Sequence, residues 1–181
     1  MKARKFLKRP YFVLLSVAIL LIFTSCKEDD PVEKPVDYVG VWVMEKTLAP
    51  EDGGFTIKDI VSFSKNSFTE VAKTKDEDSG SWIDMVGRKG TFTVLNGEMN
   101  ISITDAGMTT VDPVSGEPTG NITYYSAGTA EFSNILELME MKQNYTALYS
   151  VSNNSMTLKA DDNNNGSYDD QDEINIFTRQ Q

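Results

Sequence analysis

The chain of 181 residues carries 27 acids against 17 bases, a formal net charge of −10, with no histidine and one cysteine. Without histidine, Ser-His-Asp and Cys-His catalytic sets are excluded, and a lone thiol rules out His- or Cys-ligated zinc. Only carboxylates, Lys and Tyr are left for acid-base work. Two carboxylates would suffice for a glycosidase, but no spacing singles out such a pair, and the acidic balance argues against nucleic acid or an anionic membrane face as partner.

The chain begins with five basic residues (Lys2, Arg4, Lys5, Lys8, Arg9), an apolar run from Tyr11 to Phe23, and then Thr24, Ser25 and Cys26. This is the layout of a secretory signal: basic end, short apolar middle, small-residue cleavage site. The middle is shorter than the ~20 residues that span a bilayer and contains Ser16, so residues 1–25 are expected to be a cleaved leader. Ile22-Phe23-Thr24-Ser25-Cys26 resembles the bacterial lipobox, with Phe23 where Leu is usual. The resemblance implies a thioether-linked diacylglycerol and an acyl chain on Cys26; the alternative is an ordinary cleaved signal with a stray cysteine. An odd cysteine in an exported chain calls for a partner or a modification, and several acyl chains at ~0.8 kcal/mol per buried methylene hold a protein durably at a membrane. Lys27-Glu28-Asp29-Asp30 resembles the signal with which one phylum of Gram-negative bacteria exports lipoproteins to the outer face of the outer membrane, the alternative being a solvated charged tether. Loss of the leader takes the net charge from −10 to about −15.

Residues 26–37 are charged, hold two prolines and lack an apolar period, as suits a flexible linker. The remainder, 38–181, is the length of a single domain with one core. Its dominant period is two with frequent turn residues, the pattern of an antiparallel all-β domain. Trp42 and Met44 alternate with Val41 and Val43 on a first strand. Ile57–Phe63 and Phe68–Ala72 pair across Ser64-Lys65-Asn66-Ser67, and Thr91–Leu95 and Met99–Ile103 across Asn96-Gly97, a strong hairpin signal because both positions need φ > 0. Met99, Ile101 and Ile103 share one buried face. Residues 73–90 are expected to form a loop, with Trp82 on a binding lip or tucked onto the core, and 105–120 a second, turn-rich loop before a strand at Asn121–Tyr125. In 129–142, Phe132, Ile135, Leu136 and Met139 mark one helical face, which favours a short helix or loop over a strand. Met139, Met141 and Met156 suit either an adaptable pocket or core gaps. Tyr145–Val151 and Met156–Ala160 pair across Asn153-Asn154, and Ile174–Thr178 is the last strand. Eight or nine strands can remove their edges by closing into a barrel; an open β-sandwich is the alternative.

Gly40-Val41-Trp42 resembles the G-x-W motif that opens lipocalin-like domains. The resemblance implies an antiparallel up-and-down barrel in which the first-strand Trp42 plugs one end, covered by an Arg near the end of the last strand, here Arg179. The lipobox, acidic tether, Asn-rich hairpins and terminal Phe177-Thr178-Arg179 together resemble small lipocalin-like surface lipoproteins. The second and third lipocalin motifs are not recognisable.

Asp161 to Asp172 (DDNNNGSYDDQD) resembles an EF-hand calcium loop. Oxygen-bearing side chains fall at positions one, three and five (Asp161, Asn163, Asn165), Gly166 at six, the Ser167 carbonyl at seven, and acids at nine and twelve (Asp169, Asp172). Hard oxygen ligands converging around a sharp glycine turn suit Ca²⁺. Asp172 replaces the usual bidentate Glu, Glu173 is the fallback ligand, and the flanks read as strands instead of helices; the plain alternative is a solvated hairpin loop. The expectation is thus a non-catalytic outer-membrane surface lipoprotein that binds a small apolar or sugar-like ligand at a rim bearing Trp82, Tyr124 and Tyr125, with a structural calcium loop. The alternative is an accessory subunit of a cell-surface complex.

Overall fold

The computed structural model describes residues 37–47, 54–76, 79–160, 168 and 174–181. Nine strands and one helix follow in chain order: β1 (Gly40–Thr47), β2 (Thr56–Phe63), β3 (Ser67–Lys75), β4 (Trp82–Leu95), β5 (Glu98–Val111), β6 (Pro118–Ser126), α1 (Ala130–Leu138), β7 (Asn144–Ser152), β8 (Ser155–Ala160) and β9 (Ile174–Arg179). The strands pair antiparallel in the order β4-β3-β2-β1-β9-β8-β7-β5, and a β4–β5 ladder closes the ring. The result is an eight-stranded up-and-down barrel of lipocalin-like architecture, not an open sandwich. Closure removes the edges that an eight-stranded sheet would otherwise expose.

The ninth strand arises because β5 is long enough to serve two partners. Its first half, Glu98–Ser102, pairs with β7, and its second half pairs with β6. α1 then crosses back from β6 to β7. Thr129 caps the helix by accepting a hydrogen bond from the Phe132 amide at 3.2 Å, and Phe132, Ile135 and Leu136 form its buried face. The helical period in 129–142 is therefore realised, with Met139 as the C-cap.

Residues directly opposite in an antiparallel ladder share a face, so the register identifies the interior. Trp42 opposes Val61, which opposes Glu70, which opposes Arg88; Met99 opposes Ala147. Met99 and Ile103 are fully buried and Ile101 nearly so, as their alternation predicts.

Two stretches expected to be loops are strand. β3 runs on to Lys75 and β4 starts at Trp82, so most of 73–90 is a ladder; β5 extends to Val111, leaving only the tight turn from Asp112 to Glu117 within 105–120. Bulges between Ala72 and Lys73 and between Lys89 and Gly90 break the alternation there. Gly87 and Gly90 resemble turn residues but serve close approach: a Cβ on Gly87 would overlap the Tyr124 ring, and one on Gly90 would meet Phe68 and the Ser102 carbonyl.

Candidate functional site

The interior is not completely filled. A cavity of about 490 Å³ lies within the barrel, floored by Phe63 and Phe68 and reaching exposed Glu140 in the segment after α1. Val61, Ile101, Leu158 and Phe177 give it apolar walls, and Met139 and Met141 line it as well. Met156, the third methionine in question, is instead fully buried in the core.

One wall is polar. Asp59 on β2, Glu70 on β3 and Arg88 on β4 all point inward and all line the cavity. The Arg88 guanidinium donates through Nη2 to Glu70 Oε1 and through Nη1 to Met141 Sδ at 2.7 Å. The ion pair is largely withdrawn from solvent, with side-chain exposures of 13% and 9% for Arg88 and Glu70. Burial disfavours the charged guanidinium, but the Glu70 carboxylate more than offsets this and holds Arg88 above its ordinary range. Burial, and next the neighbouring Glu70 charge, push the Asp59 carboxyl up to about 8, against the opposing pull of Arg88. At neutral pH Asp59 therefore keeps its proton, and the three groups together carry no net charge. Asp59 Oδ1 is buried without a hydrogen-bond partner.

This is a carboxyl pair that spacing along the chain did not expose. Asp59 and Glu70 lie close enough for the charge of one to raise the pKa of the other, and Glu70 is paired with Arg88.

The opposite end of the barrel holds the G-x-W constellation. Trp42 is fully buried; its indole N–H donates to the Tyr38 carbonyl at 2.7 Å. Arg179 opposes Trp42 across β1–β9 and stacks its guanidinium 4.4 Å from the indole centroid. Nη1 donates to the Val39 carbonyl at 2.9 Å and Nη2 to the Asp37 carbonyl. Gly40, at φ 139°, leaves room for this: a Cβ there would lie 3.1 Å from Arg179 Nη1.

The other expected ligand residues are not brought together at the cavity. Trp82 lies outside it under the Lys58 ammonium, 5.2 Å from the ring centroid. Tyr124 lies on the outer face across Gly87, with Lys89 Nζ 4.0 Å above its ring. Tyr125 is on the same face as Ala106 and packs against the core. Cys26, Lys27, Glu28, Asp29 and Asp30 are outside the described residues, as are Asp161, Asn163, Asn165, Ser167, Asp169 and Asp172. The ends of the calcium-loop segment are described: β8 and β9 pair, with Lys159 opposite Ile174. Among the described residues no cluster of three His, Cys, Asp or Glu side chains is placed to hold a metal, and no helix is long and apolar enough to cross a membrane.

The signal that locates the polar wall was present in the alternation. Within Ile57–Phe63 and Phe68–Ala72, Asp59 and Glu70 occupy the same parity as Val61, Phe63 and Phe68, so acids stand on the apolar face of two adjacent strands. No protein-family model matches the chain, and a search of curated proteins finds no relative of it.

Proposed function

We propose that this protein is a non-catalytic binding module that takes one small, largely apolar ligand into the barrel. The cavity carries the reading: at about 490 Å³ it falls within the ~300–1,000 Å³ typical of small-molecule sites, and it combines apolar walls with a few convergent polar groups. The site is the barrel interior, which takes the place of the external aromatic rim. A thermal-shift screen of small lipids, amphiphiles and glycans tests it. Stabilisation by a set of related compounds is expected; a silent screen would reject the reading.

The module is read as an outer-membrane lipoprotein anchored through diacylglycerol and an acyl chain on Cys26 and displayed on the cell surface, supported by the lipobox and the Lys27–Asp30 tether. Cys26→Ser should leave an unlipidated product that no longer partitions with the outer membrane. Calcium in Asp161–Asp172 would pin the β8–β9 hairpin, a reading supported by the spacing of oxygen ligands and by the paired strands at the loop's ends. Calorimetry with Ca²⁺ tests this, with a Kd on the order of 10⁻⁴ to 10⁻³ M expected and loss of binding in Asp161→Ala.

A second reading, an accessory subunit of a surface complex, draws on β6. Among the described residues it ends the strand order, so its outer edge offers main-chain groups to a partner. Co-purification of a stoichiometric protein from solubilised membranes would favour it.

A further inference from the structure

We propose that the cavity accepts a neutral, mainly apolar molecule bearing one carbonyl oxygen, and that this oxygen takes the Arg88 Nη1 donor in place of the Met141 thioether. The proposal rests on the reading of the barrel interior as a ligand site and names the class of ligand. Arg88 divides its donors between two unequal partners: Nη2 meets the Glu70 carboxylate, and Nη1 meets Met141 Sδ. The first bond is charge-assisted and its acceptor stands directly opposite on the neighbouring strand. A thioether sulfur is a weak acceptor, so a guanidinium N–H withdrawn from water is poorly served on that side. Both members of the weak contact line the cavity; the Arg88 side chain keeps 13% of its surface and Met141 is half-buried.

The end of α1 lets the sulfur leave without any movement of the chain. Glu140 has a φ of 54°, in the left-handed region. Its amide donates to the Glu137 carbonyl at 3.0 Å, and the Met141 amide donates to the Leu136 carbonyl at 2.9 Å. These two bonds around a left-handed residue are a Schellman cap, and they hold the Met141 backbone at the cavity. Its side chain has three rotatable bonds and a polarizable sulfur. Rotation of that side chain uncovers Nη1, and the thioether then packs against the ligand.

Charge selects a neutral ligand. Glu70 already neutralises Arg88, so an anionic ligand would bring a buried charge that the wall does not balance, past the Glu140 carboxylate at the exposed edge of the cavity. A cationic ligand would set its own charge beside the guanidinium. A carbonyl oxygen adds no charge and carries no donor that needs a partner of its own. It accepts from a cation where water is largely excluded, and there a hydrogen bond is electrostatically stronger than in water. Phe63, Phe68, Ile101 and Phe177 receive the apolar remainder.

Calorimetric titration of the full chain with butyrophenone, butylbenzene, phenylbutyrate and phenylbutylamine at neutral pH tests this. The first two differ only in a carbonyl against a methylene. We expect both neutral compounds to bind roughly tenfold or more tighter than the charged ones, and the carbonyl stretch of bound butyrophenone, read by isotope-edited infrared spectroscopy, to lie well below its position in an alkane solvent. Met141→Leu, which nearly conserves volume and removes the competing acceptor, should tighten butyrophenone severalfold and leave butylbenzene unchanged. Arg88→Met combined with Glu70→Leu removes the donor together with its partner and leaves no buried charge unpaired; there the affinity of butyrophenone relative to butylbenzene should fall by about tenfold. The infrared band of the unmodified chain and the Met141→Leu comparison give independent readouts should the double variant fail to fold. A charged compound binding as tightly as butyrophenone, an unshifted carbonyl band, a Met141→Leu effect absent or shared equally by both neutral compounds, or a relative affinity that survives loss of Arg88 would overturn the proposal. Butylbenzene binding under any of these outcomes leaves the binding module standing, whereas a silent thermal-shift screen removes the module itself.

Discussion

At one end of the barrel, where β1 begins and β9 finishes, the described connections are tight turns: Ser64 to Ser67, Asn96-Gly97 and Asn153-Asn154. Aromatic rings fill the space between them. Tyr38 meets Phe92 and Tyr149 edge-on at 5.3 and 5.8 Å, and Phe63 meets Phe92 at 5.4 Å. Trp42 and Arg179 close this end across the β1–β9 pair. Toward the other end the same strands carry smaller or polar inward residues, Asp59, Ala72, Ala160 and Asn175, and space remains. The comparison shows how one sheet makes both a plug and a pocket: the same strands supply the inward side chains at both ends, and the volume and polarity of those side chains change along each strand.

The difference predicts where substitution hurts stability most. Trp42→Ala removes the largest fully buried side chain and opens a cavity in the packed end, so a loss of about 3–5 kcal/mol is expected in urea unfolding. At the pocket end the largest effect comes from charge. Arg88→Met leaves the Glu70 carboxylate buried without its partner and should cost about 3 kcal/mol, whereas Arg88→Met combined with Glu70→Leu should regain most of that loss. A double variant no more stable than the single one would show that the pair stabilises the fold outright.

The pocket end also gives the barrel a pH dependence through a buried carboxyl. The Asp59 pKa is raised in the fold, from the ordinary 3.8 to about 8. Between those values the unfolded chain has lost this proton and the native state retains it, so the Asp59 contribution falls as pH rises and is fully lost above about 8. At ~1.4 kcal/mol per unit the whole interval sets an upper bound of several kcal/mol; with relaxation and partial hydration about 2 kcal/mol is expected. Asp59→Asn should accordingly be more stable than the parent at pH 8 and converge with it near pH 4, as thermal melts at the two pH values would read. A variant less stable at pH 8 would mean that the native state uses the ionised carboxylate.

The same division explains what the sequence made legible. The tight-turn end is written locally: Asn96-Gly97 takes the left-handed conformation at both positions, with φ of 53° and 84°, and the residues on either side alternate without interruption. Barrel closure between β1 and β9, by contrast, joins residues 137 apart in Trp42 and Arg179, and only the resemblance to the lipocalin-like motif linked them in advance. The long arms of β4 and β5 were hidden because bulges shift the parity and because Gly87 and Gly90, placed for close packing, have the composition of turns. The polar wall was missed for a related reason. Asp59 and Glu70 lie eleven positions apart, and it takes the β2–β3 register to put them side by side. Trp82 and Tyr124 drew attention as aromatics near polar residues, yet outward parity places both against lysines on the outer surface.

The smallest expected effect tests whether the packed end is held by geometry or by charge alone. Arg179 stacks on Trp42 while its two terminal nitrogens reach separate backbone carbonyls, those of Val39 and Asp37. A planar fork can do all three at once because its donors lie in the plane that covers the indole. A lysine keeps the positive charge and can satisfy the cation–π attraction or one carbonyl, but its point-like ammonium cannot span both acceptors while lying flat on the ring. The cation–π part is worth about 0.5–2 kcal/mol, and each carbonyl bond to a charged donor adds a contribution that water partly replaces at this surface. Arg179→Lys should therefore lose roughly 1 kcal/mol in urea unfolding, and Arg179→Met, which covers the ring without charge or donors, somewhat more. Near-ultraviolet circular dichroism should change in both, since the environment of Trp42 is altered. If Arg179→Lys matches the parent in stability and in the Trp42 signal, charge is sufficient and the bidentate contact to the chain before β1 contributes nothing; if Arg179→Met matches it, coverage of the indole is all that this end requires.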